Sequence, residues 1–167
     1  MSDWFFMIGE ALADGERAQV RDYLVGLGIR GNFTIETVPD WAGARRVIDD
    51  SGWDHRWWDA EQAERQRLYA RTVAKQGEQP VRAELSRELA RTSQLVHGAA
   101  AVEAARGGCT DAGLIGAAAG AATESLYLAM LARLAGESDA HPFALKQSLF
   151  AGGHWPLGIV DQRYYVF

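Results

Sequence analysis

The sequence predicts an α+β fold in which a small sheet packs against a layer of three long helices. Long stretches rich in Ala, Gln, Glu and Arg occupy the middle of the chain, residues 55–134. β-Branched residues alternate with other types over residues 32–38, and two more β-prone runs, 154–160 and 163–167, end the chain. An isolated hairpin is marginal in water, so we expect the terminal runs to pair with N-terminal strands.

Length and composition define the class of protein. The 167 residues fit one domain spanning residues 1–167, large enough for its own hydrophobic core. A net charge of −5 argues against a general nucleic-acid binder, which would carry a basic stripe. One cysteine, Cys109, excludes an internal disulfide or a thiolate metal cage and is compatible with a reducing cytosol.

The N-terminal third mixes helix and strand signals. Residues 3–9 are bulky and aromatic, and predict either a short strand or a buried opening helix. Asp14 is a typical N-terminal residue for a helix that ends near Gly28, a residue that tolerates the backbone found after a helix. The strand over residues 32–38 follows, and Asp40 can then cap a short helix.

The rest of the chain predicts four helices and a hairpin. The helices cover residues 55–76, 80–106 and 111–134, with a shorter one at 142–150. Glycine pairs or Gly-Pro segments separate them, as expected of helix ends. Asp161-Gln162 then connects the two last β-prone runs as a two-residue hairpin turn.

The third long helix is unusually apolar. Gly113, Gly116, Ala117 and Gly120 lie at helical spacing and would let another backbone approach closely, which predicts a central helix. Its uncharged run, residues 112–123, is too short to span a bilayer. Since the N-terminus also lacks the pattern of a secretory signal, we expect a cytoplasmic protein without a membrane partner.

Motifs for cofactors, metals or catalysis are weak. Residues 26–31 match G-x-G-x-x-G, but the pattern follows a helix and precedes a strand, the reverse of a dinucleotide site. Cys109 precedes a helix without any family signature around it, which indicates a loop or core thiol. No metal and no cofactor are expected, because the histidines do not occur at metal-binding spacing: His55, His97, His141 and His154.

Residues 49–64 carry the most distinctive pattern. One base, Arg56, stands among six acids, so the net charge of this window equals that of the whole chain. Three of the six tryptophans, Trp53, Trp57 and Trp58, lie in the same window. The acids are Asp49, Asp50, Asp54, Asp59, Glu61 and Glu64.

Two interpretations of this window remain open. It is either a solvated helix start whose tryptophans face the protein's own core, or a surface for a basic partner. On the second interpretation, acids steer the encounter while indole rings supply the buried anchors of the interface. The predicted partner-binding residues are Asp49, Asp50, Trp53, Asp54, Trp57, Trp58, Asp59 and Glu61.

In its profile of small size, acidity and an acidic, Trp-rich segment at residues 49–64, the chain resembles the immunity proteins that neutralise bacterial toxins. The resemblance covers about a tenth of the chain and includes no family-specific motif. It implies a non-enzymatic inhibitor that covers the active site of a basic toxin, a nuclease above all, with acids standing in for substrate phosphates. It implies no direct contact with nucleic acid.

Two other functions compete with inhibition. The first is a small-molecule-binding or enzymatic domain with a pocket near Glu124, His154 and Trp155, because a double glycine precedes the imidazole and the indole. The second is a homo-oligomeric structural component that uses the aromatic N-terminus and the Tyr-Tyr-Val-Phe end as contacts. The partner's identity and the oligomeric state do not follow from the sequence.

Overall fold

The computed structural model describes residues 4–167 and has an α+β fold dominated by helices. Most predicted elements are confirmed within a few residues of their expected bounds. In chain order the elements are α1 (Asp14–Gly26), β1 (Thr34–Thr37), α2 (Trp41–Ile48), α3 (His55–Gln76), α4 (Glu78–Arg106), α5 (Ala112–Leu134), α6 (Pro142–Ala151), β2 (Pro156–Val160) and β3 (Arg163–Val166).

The sheet has three strands in the order β1-β3-β2. The predicted hairpin is confirmed, since β2 pairs with β3 in antiparallel fashion. Asp161 and Gln162 both adopt positive φ, 46° and 62°, which is the backbone of a two-residue hairpin turn that matches the strand twist. β1 pairs with β3 in parallel, with Ile35 opposite Tyr164. The N-terminal and the C-terminal parts of the chain therefore contribute strands to one sheet, as expected.

The expectation of a strand or helix at residues 3–9 is wrong for the part that the structure describes; Asp3 lies outside it. Trp4 to Gly9 form hydrogen-bonded turns, with the Ile8 amide donating to the Phe5 carbonyl. Only β1 therefore comes from the N-terminal part, not several strands. Trp4 and Phe5 are buried, so this segment adds hydrophobic side chains to the core without adding a strand.

The three predicted long helices are α3, α4 and α5. α5 lies at the centre and packs against α3, α4 and α6. The sheet lies mainly against α2 and α6, so its expected packing on the layer of three long helices is found only in part. Trp41 of α2 contacts Phe167 edge-on, with ring centroids 5.1 Å apart, and Trp155 lies beside both. The sheet and the helices therefore share one core.

α5 uses a different face for packing than the glycine pattern indicates. Ala118, Ala119 and Ala122 are fully buried, whereas no atom of another element lies within 4 Å of the β-carbon positions of Gly116 and Gly120. By length and composition this helix could cross a membrane, so the expectation that its apolar run is too short is wrong. α5 also contacts three other helices, and the core helix of a globular protein passes the same test of length and composition.

Candidate functional site

Residues 49–64 form a loop and the first turns of α3, and the loop closes one edge of the sheet. The Asp54 amide donates to the Ile159 carbonyl at 2.9 Å, and the Asp161 amide donates to the Gly52 carbonyl at 3.3 Å. These bonds satisfy backbone groups of β2 that would otherwise form an open sheet edge. The acidic, Trp-rich segment is therefore attached to the sheet before α3 begins.

Two of the three tryptophans in this segment pack inward. The rings of Trp53 and Trp57 stack at 6.3 Å with an interplanar angle of 25°. Both lie against Gly158 in β2, where a β-carbon would come within 2.9 Å of the Trp57 ring. Gly158 has φ +139°, a backbone conformation that favours glycine. Because glycine has no side chain, the strand also leaves space there for the two indole rings. Trp57 is buried and Trp53 is half-buried, with its indole N–H donating to the Ile48 carbonyl.

Glu61 also points inward, into a buried polar cluster. Lys146 donates from Nζ to both carboxylate oxygens of Glu61, at 2.8 and 3.0 Å. Tyr23 donates its hydroxyl to Glu61 Oε1 at 2.6 Å and accepts the Trp57 indole N–H at 2.5 Å. The Lys146 ammonium lies 5.0 Å from the centre of the Trp57 ring, a cation–π distance. Trp57 and Glu61 are therefore buried within the fold and are not accessible to a partner in this structure.

Burial raises the pKa values of the two tyrosines at this cluster. The pKa of Tyr23 is raised well above its ordinary value, first by burial and then by the charge of Glu61. Burial, followed by the same carboxylate, raises the pKa of Tyr164 in β3, whose hydroxyl has no hydrogen-bond partner among residues 4–167. Both phenols stay protonated at neutral pH. Because the cluster is shielded from solvent, it holds α3, α1, α6 and the sheet together rather than presenting a group to a substrate.

Ion pairs, most of them with arginines two to four positions away in the chain, offset part of the negative charge of the window. Asp49 pairs with Arg45 at 2.7 Å, and Asp54 pairs with Arg56 at 2.7 Å. Hydrogen bonds from Arg56 lower the pKa of Asp54, which also caps the N-terminus of α3. Glu64 contacts Arg67 at 2.6 Å and His141 at 2.9 Å. Hydrogen bonds from Arg67, followed by that from His141, lower the pKa of Glu64 to about 2.

Trp58, Asp59 and Asp50 face solvent. The Trp58 side chain is 54% exposed, although Trp57 beside it is buried, because successive helical residues point about 100° apart. Asp50 accepts the Gly52 amide at 2.7 Å, and no ion pair within residues 4–167 involves Asp50 or Asp59. The exposed part of the window therefore includes one large indole, two acids without an ion-pair partner within residues 4–167, the paired Asp49 and the base Arg56, whereas the Asp54 side chain is only 15% exposed.

The three residues of the alternative pocket lie in separate environments. Glu124 is exposed on α5 and lies 3.6 Å from Arg65. His154 and Trp155 are buried, and the nearest acid to the His154 ring is Glu16 at 3.3 Å. Burial lowers the pKa of His154, so its ring is neutral at pH 7. Cys109 is a partly buried thiol in the loop before α5.

Reasoning from the sequence missed Lys146 and Tyr23 as the partners of Glu61. Lys146 carried a usable signal: it is one of two lysines and sits in an otherwise apolar helix, so its charge needed an acid within the fold. Within residues 4–167 no group of three potential metal ligands occurs. Comparison of the chain with protein-family models, curated proteins and solved structures found no match.

Proposed function

We propose that the protein binds and inhibits a basic protein partner through the solvent-facing part of residues 49–64. The observation that carries the proposal is Trp58, a large indole left 54% exposed on a helix whose first turn is fixed by Trp57. Binding energy at protein interfaces concentrates on such aromatic side chains. Since the helix start is already ordered, little conformational entropy is lost when a partner covers the ring.

The charges around Trp58 favour a basic partner. Asp50 and Asp59 are exposed, and the arginine partners of Asp49 and Asp54 are exposed as well. The Arg45–Asp49 pair is exposed on both sides and contributes about 1 kcal/mol or less, so a cationic surface can exchange with Arg45 at low cost. Asp54 is only 15% exposed and caps α3, so it supports the surface through its position at the helix start. The acids then raise the association rate and orient the partner. Trp53, Trp57 and Glu61 act from inside, by fixing the surface in place.

The resemblance to immunity proteins supports a bacterial toxin as the partner. A nuclease is the class that fits, because its active site offers the cations that otherwise hold phosphates, and carboxylates can occupy them. On this proposal the protein acts in the cytoplasm, where it protects the cell from the toxin. It contacts the toxin and not the nucleic acid.

The test looks for a basic protein encoded beside this one; such a protein is purified and assayed for nuclease activity with and without this chain. Trp58→Ala should weaken binding of that protein by about 2–4 kcal/mol. Asp50→Asn with Asp59→Asn should mainly slow association and reduce its salt dependence. Val25→Ala is the matched control, since Val25 is 72% exposed on α1 and lies outside the proposed surface.

Three results would overturn the proposal. The first is equal binding by the Trp58→Ala and Val25→Ala variants. The second is nuclease activity that persists in the presence of a stoichiometric excess of the protein. The third is a neighbouring protein that binds with no dependence on ionic strength, because charge steering between exposed groups is screened by salt.

A further inference from the structure

The three long helices leave a cavity of about 420 Å³ between them, which is open to solvent like a groove. Residues of α3, α4 and α5 line it, and Leu85, buried against Val81 and Met130, is part of its apolar wall. Small-molecule sites have volumes of roughly 300–1,000 Å³ and mostly apolar walls with a few polar groups. The volume of this cavity lies in that range, and aliphatic or aromatic side chains form half of its lining: Tyr69, Leu85, Leu89 and Tyr127.

The cavity is basic in an acidic protein. Arg65 and Arg82 line it, and none of the lining residues is acidic, although the chain has a net charge of −5. The nearest acids contact these arginines from outside: Glu124 lies 3.6 Å from Arg65, and Glu78 lies 2.7 Å from Arg82. Both pairs are exposed, so an anion inside the cavity can share the guanidinium groups at little cost.

Two tyrosines give the cavity an aromatic wall. The guanidinium of Arg65 lies 5.0 Å from the centre of the Tyr127 ring, which fixes its plane near the cavity. Arg82 donates to the Tyr69 hydroxyl oxygen at 3.4 Å, and this leaves the hydroxyl hydrogen of Tyr69 available to a ligand. A flat, apolar group would contact the Tyr69 ring and Leu85, while its charged end meets the guanidinium groups, one of which lies over the Tyr127 ring.

We propose that this cavity binds a small organic anion with an aromatic body, held by Arg65 and Arg82 and packed against Tyr69 and Leu85. Guanidinium groups bind both carboxylates and phosphate monoesters through paired hydrogen bonds, so the head group is an anion of either kind. The site is independent of the proposed protein-binding surface, because it shares no residue with it. Each proposal can fail without the other.

Four probes test the chemistry by calorimetric or NMR titration of the full chain: 2-naphthyl phosphate, 2-naphthoate, 2-naphthol and inorganic phosphate. The two aromatic anions should bind with dissociation constants of about 1 mM or tighter. Naphthol, which lacks the charge, and phosphate, which lacks the aromatic body, should each bind about tenfold more weakly. The order of the two anions identifies the preferred head group.

Arg82→Gln and Arg87→Gln form a matched pair of variants. Both arginines lie on α4, both are 65% exposed and both pair with a glutamate, but only Arg82 lines the cavity. Arg82→Gln should weaken binding of the better anion about tenfold, and Arg87→Gln should leave it unchanged. Ser86→Trp, at an exposed lining position, should block binding by filling the cavity.

The proposal is overturned if neither aromatic anion binds at millimolar concentration, or if naphthol binds as tightly as they do. Equal weakening by Arg82→Gln and Arg87→Gln would also overturn it, because that result indicates general charge attraction. Circular dichroism of each variant confirms that α4 remains helical. Since both arginines are exposed, their replacement does not disturb the core.

Discussion

The ammonium group of Lys146 lies within 3.0 Å of both carboxylate oxygens of Glu61, although 85 positions separate the two residues in the chain. Their side chains are only 11% and 5% exposed. The pair joins α6 to α3 beside the sheet and converts an acid from the most negative segment of the sequence into part of the core.

Replacing Lys146 with Met should destabilise the fold by about 3–5 kcal/mol, because it leaves the Glu61 carboxylate buried without a counter-charge. Urea unfolding measures the change in the free energy of unfolding. The double variant with Glu61→Gln should recover a substantial part of the loss, since no buried charge remains. A single variant as stable as the parent would show that the pair is not required.

Gly158→Ala should destabilise the protein by about 2–4 kcal/mol, because a methyl group there meets the Trp53 and Trp57 rings and its φ of +139° is strained for alanine. Gly116→Ala is the control: it lies in α5 with open space at its β-carbon, and should stabilise by about 0.5–1 kcal/mol. Thermal or urea unfolding of both variants checks the opposite signs. Equal effects would contradict the packing of the indoles on β2.

Adjacent tryptophans should respond in opposite ways to truncation. Trp57→Ala removes a buried ring and its hydrogen bond to Tyr23, and should cost about 3–5 kcal/mol of folding free energy. Trp58→Ala removes an exposed ring and should change stability by about 0.5 kcal/mol or less. Denaturant unfolding distinguishes the two. A large loss for Trp58→Ala would mean that its ring is part of the core and not a binding anchor.

Stability should fall in acid partly through Glu64, whose pKa is about 2 in the folded protein against an ordinary value of 4.5. The folded protein therefore favours the ionised carboxylate, so its contribution is complete above pH 4.5 and is lost as the pH falls towards 2. Unfolding free energies of the parent and Glu64→Gln should differ at pH 6 and converge near pH 2. A difference that does not change with pH would contradict this assignment.

Local sequence signals determined where the helices, strands and turns lie. Helix caps at Asp40 and Asp111, the alternation before Pro39 and the polar turn at Asp161-Gln162 all depend on neighbouring residues, and each was recognisable in the sequence. The α+β class follows from the same local patterns. The prediction for residues 4–9 was wrong because their aromatic side chains fit both strand and helix patterns, whereas their backbone forms turns.

The direction of each side chain in residues 49–64 was decided only by the tertiary structure. The sequence placed six acids and three tryptophans together, but several of the groups that they contact lie elsewhere in the chain: Lys146 pairs with Glu61, His141 forms a hydrogen bond with Glu64, and Gly158 lies against the stacked indoles. Charge and burial are properties of neighbours in space. A segment that carries the whole net charge of the chain therefore folds into a surface with one exposed indole and few unpaired acids.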